Sequence, residues 1–209
     1  MNLNIKLINQ LISTSYLKSP KIINAFKQTD RICFVPEELR HEAYENYPLF
    51  IGHGQTISQP ATVAFMLELL EPKPGEKILD VGCGSGWQTA LLSNLVGDKG
   101  KVIGLEIKDE LVEQCKNNLE QFDFKNIEIK KGNGWQGLPE QAPFDKIIVA
   151  AAANTVPEQL LKQLKIGGRM IVPVGRDIQD MTIINKVGKN QYEEESVPGF
   201  IFVPLVNNL

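Results

Sequence analysis

At 209 residues, 43% hydrophobic and 22% charged, the chain is long enough for one α/β domain with a sizeable core and is globular in composition. Its net charge of −3 argues against a nucleic-acid partner, which requires a basic face. Three scattered cysteines (Cys33, Cys83, Cys115) and two histidines (His41, His53) show neither CxxC spacing nor a Cys–His cluster, which predicts reduced thiols and no structural metal.

No apolar run reaches membrane-spanning length, and Met1–Gln10 lacks the apolar centre of a signal peptide, so cytoplasmic residence is expected. Residues 1–50 read as helical and partly irregular. Met1, Ile5, Ile8 and Ile12 fall on one helical face. Ser19-Pro20 starts a second helix over Lys21–Gln28, and Pro36 starts another through Tyr44. Residues 46–58 have no helical period. Two glycines, a proline and several hydroxyls predict a loop there. Pro60 then opens a helix through Val63, Met66, Leu67 and Leu70, which Pro72, Pro74 and Gly75 end. Thr56 and Ser58 therefore lie just before a helix N-terminus. Spacing alone favours a capping or turn role. The alternative is an anion site built from hydroxyls and backbone N–H groups.

The centre of the chain is Lys77–Trp87, an apolar strand running into a glycine turn and then a helix. A dinucleotide fingerprint would place its third glycine at position 87, which is Trp. The chain instead has Asp80-x-Gly82-x-Gly84-x-Gly86, a pattern that resembles motif I of the AdoMet-dependent methyltransferases. In that motif the glycines lie under the methionine part of the cofactor. Lys101–Glu106 reads as the next strand, ending on an acid 20 residues after Gly86. An acid there can accept two hydrogen bonds from a ribose diol. An amphipathic helix over Lys108–Gln121 and a strand over Asn126–Lys130 follow. The strand ends at Gly132-Asn133-Gly134, where Asn133 is either a turn residue or a group facing the adenine, with its neighbouring backbone. Next come a buried strand at Phe144–Ala151, a helix at Pro157–Leu164 closed by Gly167-Gly168, and a strand at Arg169–Val174. Met181–Val187, Gln191–Ser196 and Phe200–Leu205 read as antiparallel strands. Strands and helices alternating at this spacing imply a doubly wound, mostly parallel sheet.

Further stretches carry a closer likeness over roughly residues 20–206. They are R-x-x-F-V-P at Arg31–Pro36, P-L-x-I-G at Pro48–Gly52, G-Q-T-I-S-Q-P at Gly54–Pro60, K-x-G-G-R at Lys165–Arg169 and F-V-P-L at Phe202–Leu205. With the motif I turn and Glu106, the chain resembles the protein-L-isoaspartate (D-aspartate) O-methyltransferases. The resemblance implies a Rossmann-like sheet of seven strands with an N-terminal helical extension and antiparallel C-terminal strands. One domain spans 1–209, with residues 1–58 as a substrate-side extension and 59–209 as the α/β core. It implies methyl transfer from S-adenosyl-L-methionine to the α-carboxylate that is freed when the backbone runs through an aspartyl side chain. The ester product then collapses to a succinimide, which begins repair. It places Ser58 at the active site, with Thr56 and Ile57 beside the substrate. Asp80, Gly82, Gly84, Gly86, Glu106, Asn133 and Gly134 fall on the cofactor side. Its partners are isoaspartyl proteins and peptides, with neither membrane nor metal involved, and a monomer is expected. Four departures stand out. Asn133 replaces the Asp of a G-D-G turn, Asn46 and Phe50 replace Asp and Pro, and Asn154 stands where Pro is common. A methyltransferase for another carboxylate, or a silent AdoMet binder, is the competing reading.

Overall fold

The computed structural model describes residues 2–207; Met1, part of the helical face predicted above, lies outside them. Helix α1 (Leu3–Ser13) starts at Asn2, whose side chain accepts from the N–H groups of Asn4 and Ile5. Its packed stripe is Asn4, Leu7, Ile8 and Leu11, while Ile12 faces water. The buried face is thus rotated from the predicted one, because Leu7 and Leu11 have the deeper partners. Helix α2 (Pro20–Gln28) opens on its proline as expected and buries Ile22, Ala25 and Phe26. The helix predicted after Pro36 is only a 3-10 segment, Glu37–Glu42, and it buries none of its residues. Without an apolar face there is nothing to hold a longer α-helix.

The loop predicted at 46–58 contains a β-hairpin. Strands β1 (Leu49–Gly52) and β2 (Gln55–Ile57) pair antiparallel across His53-Gly54. His53 and Gly54 take positive φ angles of 54° and 71°, as a two-residue hairpin turn requires. Leu49 and Ile51 point inward and Phe50 outward. Helix α3 (Pro60–Leu70) follows and ends on the left-handed Glu71.

The core alternates as predicted. It runs β3 (Lys77–Val81), α4 (Trp87–Val96), β4 (Lys101–Glu106), α5 (Asp109–Leu119), β5 (Ile127–Lys131), β6 (Phe144–Val149), α6 (Glu158–Gln163), β7 (Leu164–Gly175), β8 (Gln179–Gly188) and β9 (Gln191–Phe200). The seven strands lie in the order β5-β4-β3-β6-β7-β8-β9. Pairing is parallel from β5 to β7 and antiparallel at β7–β8 and β8–β9. Alternate strand residues feed two apolar layers. Ile78, Val102 and Ile148 join the layer of α1–α5, while Leu79, Val81 and Ile103 join Leu138 and Leu160 of α6 on the other face.

Two expectations change. Gly167-Gly168 does not close α6 but sits inside β7, where the register against β6 jumps from Phe144–Leu164 to Lys146–Arg169. A Cβ on Gly168 would stand 2.8 Å from the Asp145 carbonyl, so the bulge needs glycine there. Beyond Phe200, which ends β9, residues 201–205 form no third antiparallel strand. They make one parallel bridge, Ala152 to Pro204, with Ala152 N–H donating to Val203 O (2.8 Å) and Leu205 N–H to Ala152 O (2.7 Å). Pro204 has no N–H with which to extend a ladder. No helix among the described residues is long and apolar enough to cross a membrane.

Candidate active site

Strand β3 lies between β4 and β6, so the strand order runs to β4 and β5 on one side of it and to β6 and β7 on the other, and a crevice opens at the carboxyl ends of these strands. Asp80 is the penultimate residue of β3 and is 0% exposed. Its carboxylate accepts from Gln88 Nε2 (2.7 Å) and Thr89 Oγ1 (2.6 Å), which ties the first turn of α4 to the strand. Burial pushes its carboxyl up to about 6. The hydrogen bonds from Thr89 and Gln88 oppose that rise, and nearby Glu106 adds to it. Asp80 lines neither cavity at the turn, so it acts on the site from behind.

The turn itself needs glycine. Gly82, Gly84 and Gly86 have φ of 78°, 52° and 95°. Gly86 is a packing position, since a Cβ there would meet Cys115 Sγ at 2.8 Å. Gly82 and Gly84 line the cleft.

Glu106 ends β4 almost wholly buried, at 6% exposure. Its Oε1 accepts from the N–H of Ile107 (2.8 Å) and Lys108 (3.1 Å), and its Oε2 from Gly84 N–H (3.1 Å). One carboxylate thus joins the two halves of the motif and keeps acceptor capacity on the cleft wall. Beside it lies a cleft open to solvent. Leu105 and Ile107 supply apolar walls, and Gly132 and Gly134 form the far end. Asn133 is not on that wall. Its Oδ1 accepts from Trp135 N–H (2.9 Å) and its Nδ2 donates to Asn207 O (2.8 Å) and Asn207 Oδ1 (3.0 Å). The side chain closes the turn and anchors the C-terminal tail.

That tail is the part of the site sequence reasoning missed. Val203–Val206 form one wall of the cleft. Trp135 Nε1 pins them by donating to Leu205 O (2.8 Å), and Gln179 Oε1 by accepting from Phe202 N–H (2.8 Å). The F-V-P-L stretch was the available signal, but nothing in it points to a wall rather than a strand.

A family model described as protein-L-isoaspartate(D-aspartate) O-methyltransferase (PCMT) matches residues 2–209. The chain belongs to this family. A protein-L-isoaspartate O-methyltransferase of Aeropyrum pernix is 45% identical over 204 residues, 97% of this chain and 78% of the relative. The same-named protein of Alteromonas mediterranea is 43% identical over 199 residues, 94% and 92% of the two chains. A Plasmodium falciparum crystal structure named for protein-L-isoaspartate O-methyltransferase superposes with a TM-score of 0.88. It is 29% identical, covers 97% of this chain and 98% of its own, and holds S-adenosyl-L-homocysteine.

In this PCMT-family chain the residues present suit that group. Gly82 and Gly84 put bare backbone on the cleft wall. Glu106 offers a charged acceptor, and Leu105 and Ile107 cover apolar surface. Among the described residues no group of three or more His, Cys, Asp or Glu is placed to hold a metal.

Two further cavities open from the same crevice. One is an open groove between Pro48, Thr56, Ser58 and the tail at Gly199–Val203. The other, smaller, runs from Ser58 to Gly82, Gly84 and Ser85. Thr56 and Ala150 line all three spaces, so they mark where the spaces meet. Among the described residues no charged side chain lines either of the two cavities that Ser58 borders. The capping role does not materialise. The residue before α3 is Gln59, with no side-chain cap, and among the described residues the hydroxyls of Thr56 and Ser58 make no hydrogen bond. Asn46 does that work from a distance, its Oδ1 accepting from Ala61 N–H (3.0 Å), so this departure keeps its acceptor. Phe50 pairs across the hairpin with Thr56 and is 71% exposed on that face.

Proposed function

We propose that this protein methylates the free α-carboxylate of L-isoaspartyl and D-aspartyl residues in damaged proteins, with Ser58 as the hydroxyl that orients the carboxylate. The observation that carries this reading is the meeting of an uncharged groove with the glycine-turn cleft at Thr56, beside a Ser58 hydroxyl that has no described partner. Family membership supports the substrate class.

The substrate carboxylate has a pKa of about 3–4, so it arrives ionised at pH 7 and needs no general base. When bound, S-adenosyl-L-methionine supplies a sulfonium methyl that the carboxylate oxygen takes as the carbon–sulfur bond breaks, leaving a methyl ester and S-adenosyl-L-homocysteine. Charge disappears as that bond forms. A cation touching the carboxylate would hold the ground state more tightly than the transition state. Neutral donors avoid that penalty, and the Ser58 hydroxyl with the Thr56–Ser58 backbone supplies them. Positioning of this kind lowers a barrier by as much as ~7–11 kcal/mol in favourable cases. Ser58 is a positioner rather than a covalent nucleophile, because among the described residues neither cavity it borders holds a His or Asp to activate it.

Glu106 is assigned to the ribose, Gly82 and Gly84 to the methionine part, and the Gly132–Gly134 turn to the adenine end. Asp80, Gly86 and Asn133 hold those walls in place. Residues 1–58 serve as the substrate-side extension of a 59–209 core. We take the enzyme as a cytoplasmic monomer without a nucleic-acid partner; the net charge of −3 supports the last point.

The test is transfer of labelled methyl to paired peptides carrying L-isoaspartate or L-aspartate at one site. Base-labile label on the isoaspartyl peptide alone is expected. Label on neither, with S-adenosyl-L-homocysteine still bound, would sink the substrate assignment. Ser58→Ala should lower kcat/KM for the peptide about 10–100-fold, the worth of a hydrogen bond to a charged group. Near-normal turnover at saturating peptide would remove Ser58 from the mechanism.

A further inference from the structure

The R-x-x-F-V-P stretch has no part in the chemistry above, yet Arg31 is 0% exposed. Asp30 caps the 3-10 segment Arg31–Phe34 by accepting from Ile32 N–H (3.2 Å). The Arg31 guanidinium lies buried behind the hairpin. Nη1 donates to the carbonyls of Ala43 (2.9 Å) and Glu45 (3.2 Å), and Nη2 to those of Tyr47 (3.1 Å) and Ser58 (3.2 Å). All four acceptors are neutral backbone groups within 43–58, the stretch that carries the hairpin and Ser58. The guanidinium carbon also stands 5.5 Å from the ring centre of Trp87, the first residue of α4 after the glycine turn. Burial lowers its pKa to about 10, so the side chain stays charged at pH 7.

A buried cation hydrogen-bonded only to carbonyls is an expensive way to fill space, and Met or Leu would pack with less desolvation. An apolar side chain cannot fasten four carbonyls from two ends of one segment. Nor can lysine, whose single nitrogen cannot reproduce the planar fork. One guanidinium therefore spans the substrate segment and touches the helix that follows the cofactor turn.

We propose that Arg31 is a positioning residue for methyl transfer. Through the Ser58 and Tyr47 carbonyls it holds the hydroxyl-bearing strand end at a set distance from the glycine turn. This rests on the assignment of Ser58 made above. The fixed peptide planes at Tyr47 and Ser58 leave the Ser58 hydroxyl on the groove wall, free for the substrate.

The experiment is steady-state kinetics of Arg31→Lys and Arg31→Met with the isoaspartyl peptide, alongside calorimetry of S-adenosyl-L-homocysteine binding. In Arg31→Lys, kcat/KM for the peptide should fall about 10–100-fold, as a misplacement near 1 Å would give, while S-adenosyl-L-homocysteine Kd stays within about twofold of wild type. Adding Arg31→Lys to Ser58→Ala should cost less than about threefold more, because the hydroxyl that Arg31 places is already gone. A merely structural arginine predicts a multiplicative loss in that double variant, and such a loss overturns the proposal. So does a peptide kcat/KM within about twofold of wild type, or an equal loss of S-adenosyl-L-homocysteine affinity. If the wild type labels no isoaspartyl peptide, the Ser58 assignment fails first and this proposal with it. If it labels the peptide but Arg31→Lys matches it, only this proposal fails. Should neither variant fold, the arginine side-chain NMR spectrum of the wild type decides. With S-adenosyl-L-homocysteine bound, the Arg31 guanidinium signals should shift on adding isoaspartyl peptide and not on adding the aspartyl one. Unchanged signals overturn the proposal.

Discussion

Glu106→Gln changes one atom at the point where the two halves of the cofactor cleft meet. The wild-type carboxylate accepts from Ile107 and Lys108 on Oε1 and from Gly84 on Oε2. The amide keeps one acceptor oxygen and puts an NH₂ donor in place of the other. Keeping the oxygen on the Ile107–Lys108 side preserves two of the three bonds. The amide nitrogen then faces Gly84 N–H, donor against donor. One buried donor left without a partner costs about 1–3 kcal/mol. In a domain of this length each kcal/mol lowers Tm by roughly 2–4 °C, so the ligand-free Tm should fall by ~2–12 °C. On the ribose assignment proposed above, the diol also loses a charged acceptor, a contact worth about 1.5–3 kcal/mol, so Kd for S-adenosyl-L-homocysteine should rise ~10–100-fold. Titration calorimetry measures the second quantity and thermal unfolding without ligand the first. A lowered Tm with Kd within about threefold of wild type, under 1 kcal/mol, would refute the ribose assignment and leave Glu106 only as the carboxylate that holds the turn.

Two further outcomes follow from the same crevice. Burial raises Asp80 from its ordinary 3.8 to about 6, so the folded state binds this proton more tightly than the unfolded chain. Stability from this group is therefore lost as pH rises from about 4 to about 6, by about 2–3 kcal/mol in total. Urea unfolding of wild type and Asp80→Asn should show the balance shifting toward the Asn variant across that window, and a pH-independent difference would contradict it. Gly134→Ala would place a Cβ 2.7 Å from Leu205 Cδ1 and 2.8 Å from Val81 Cγ1. Overpacking costs about 1–3 kcal/mol, and the tail yields more easily than the sheet. S-adenosyl-L-homocysteine affinity should drop about tenfold as the Leu205 wall moves out. An unchanged Kd would mean the tail wall does not touch the ligand.

Local pattern alone determined the middle of this protein. From Lys77 to Val96 the strand, glycine turn and helix follow from short-range rules: a short apolar run, φ freedom at three glycines, and a helical period from Trp87. The acid ending the next strand was legible for the same reason, because a parallel strand of six residues carries its own signal. What escaped were elements whose conformation depends on partners distant in sequence. The hairpin read as a loop because strands of four and three residues are too short to show a period. Gly167-Gly168 read as a helix stop because only the register of β6 against β7 makes it a bulge. The Phe200–Leu205 run has the composition of a strand. It became a cleft wall because Ala152, Trp135 and Gln179 claim its backbone groups across the fold. Arg31 was visible as a letter in a motif. That its guanidinium would stand behind Ser58, 27 residues away, came only from the tertiary packing that sets it between the 43–58 backbone and Trp87. Short-range sterics and periodicity are written residue by residue, whereas a buried charge or an idle strand edge takes its role from whichever backbone groups the completed fold leaves beside it.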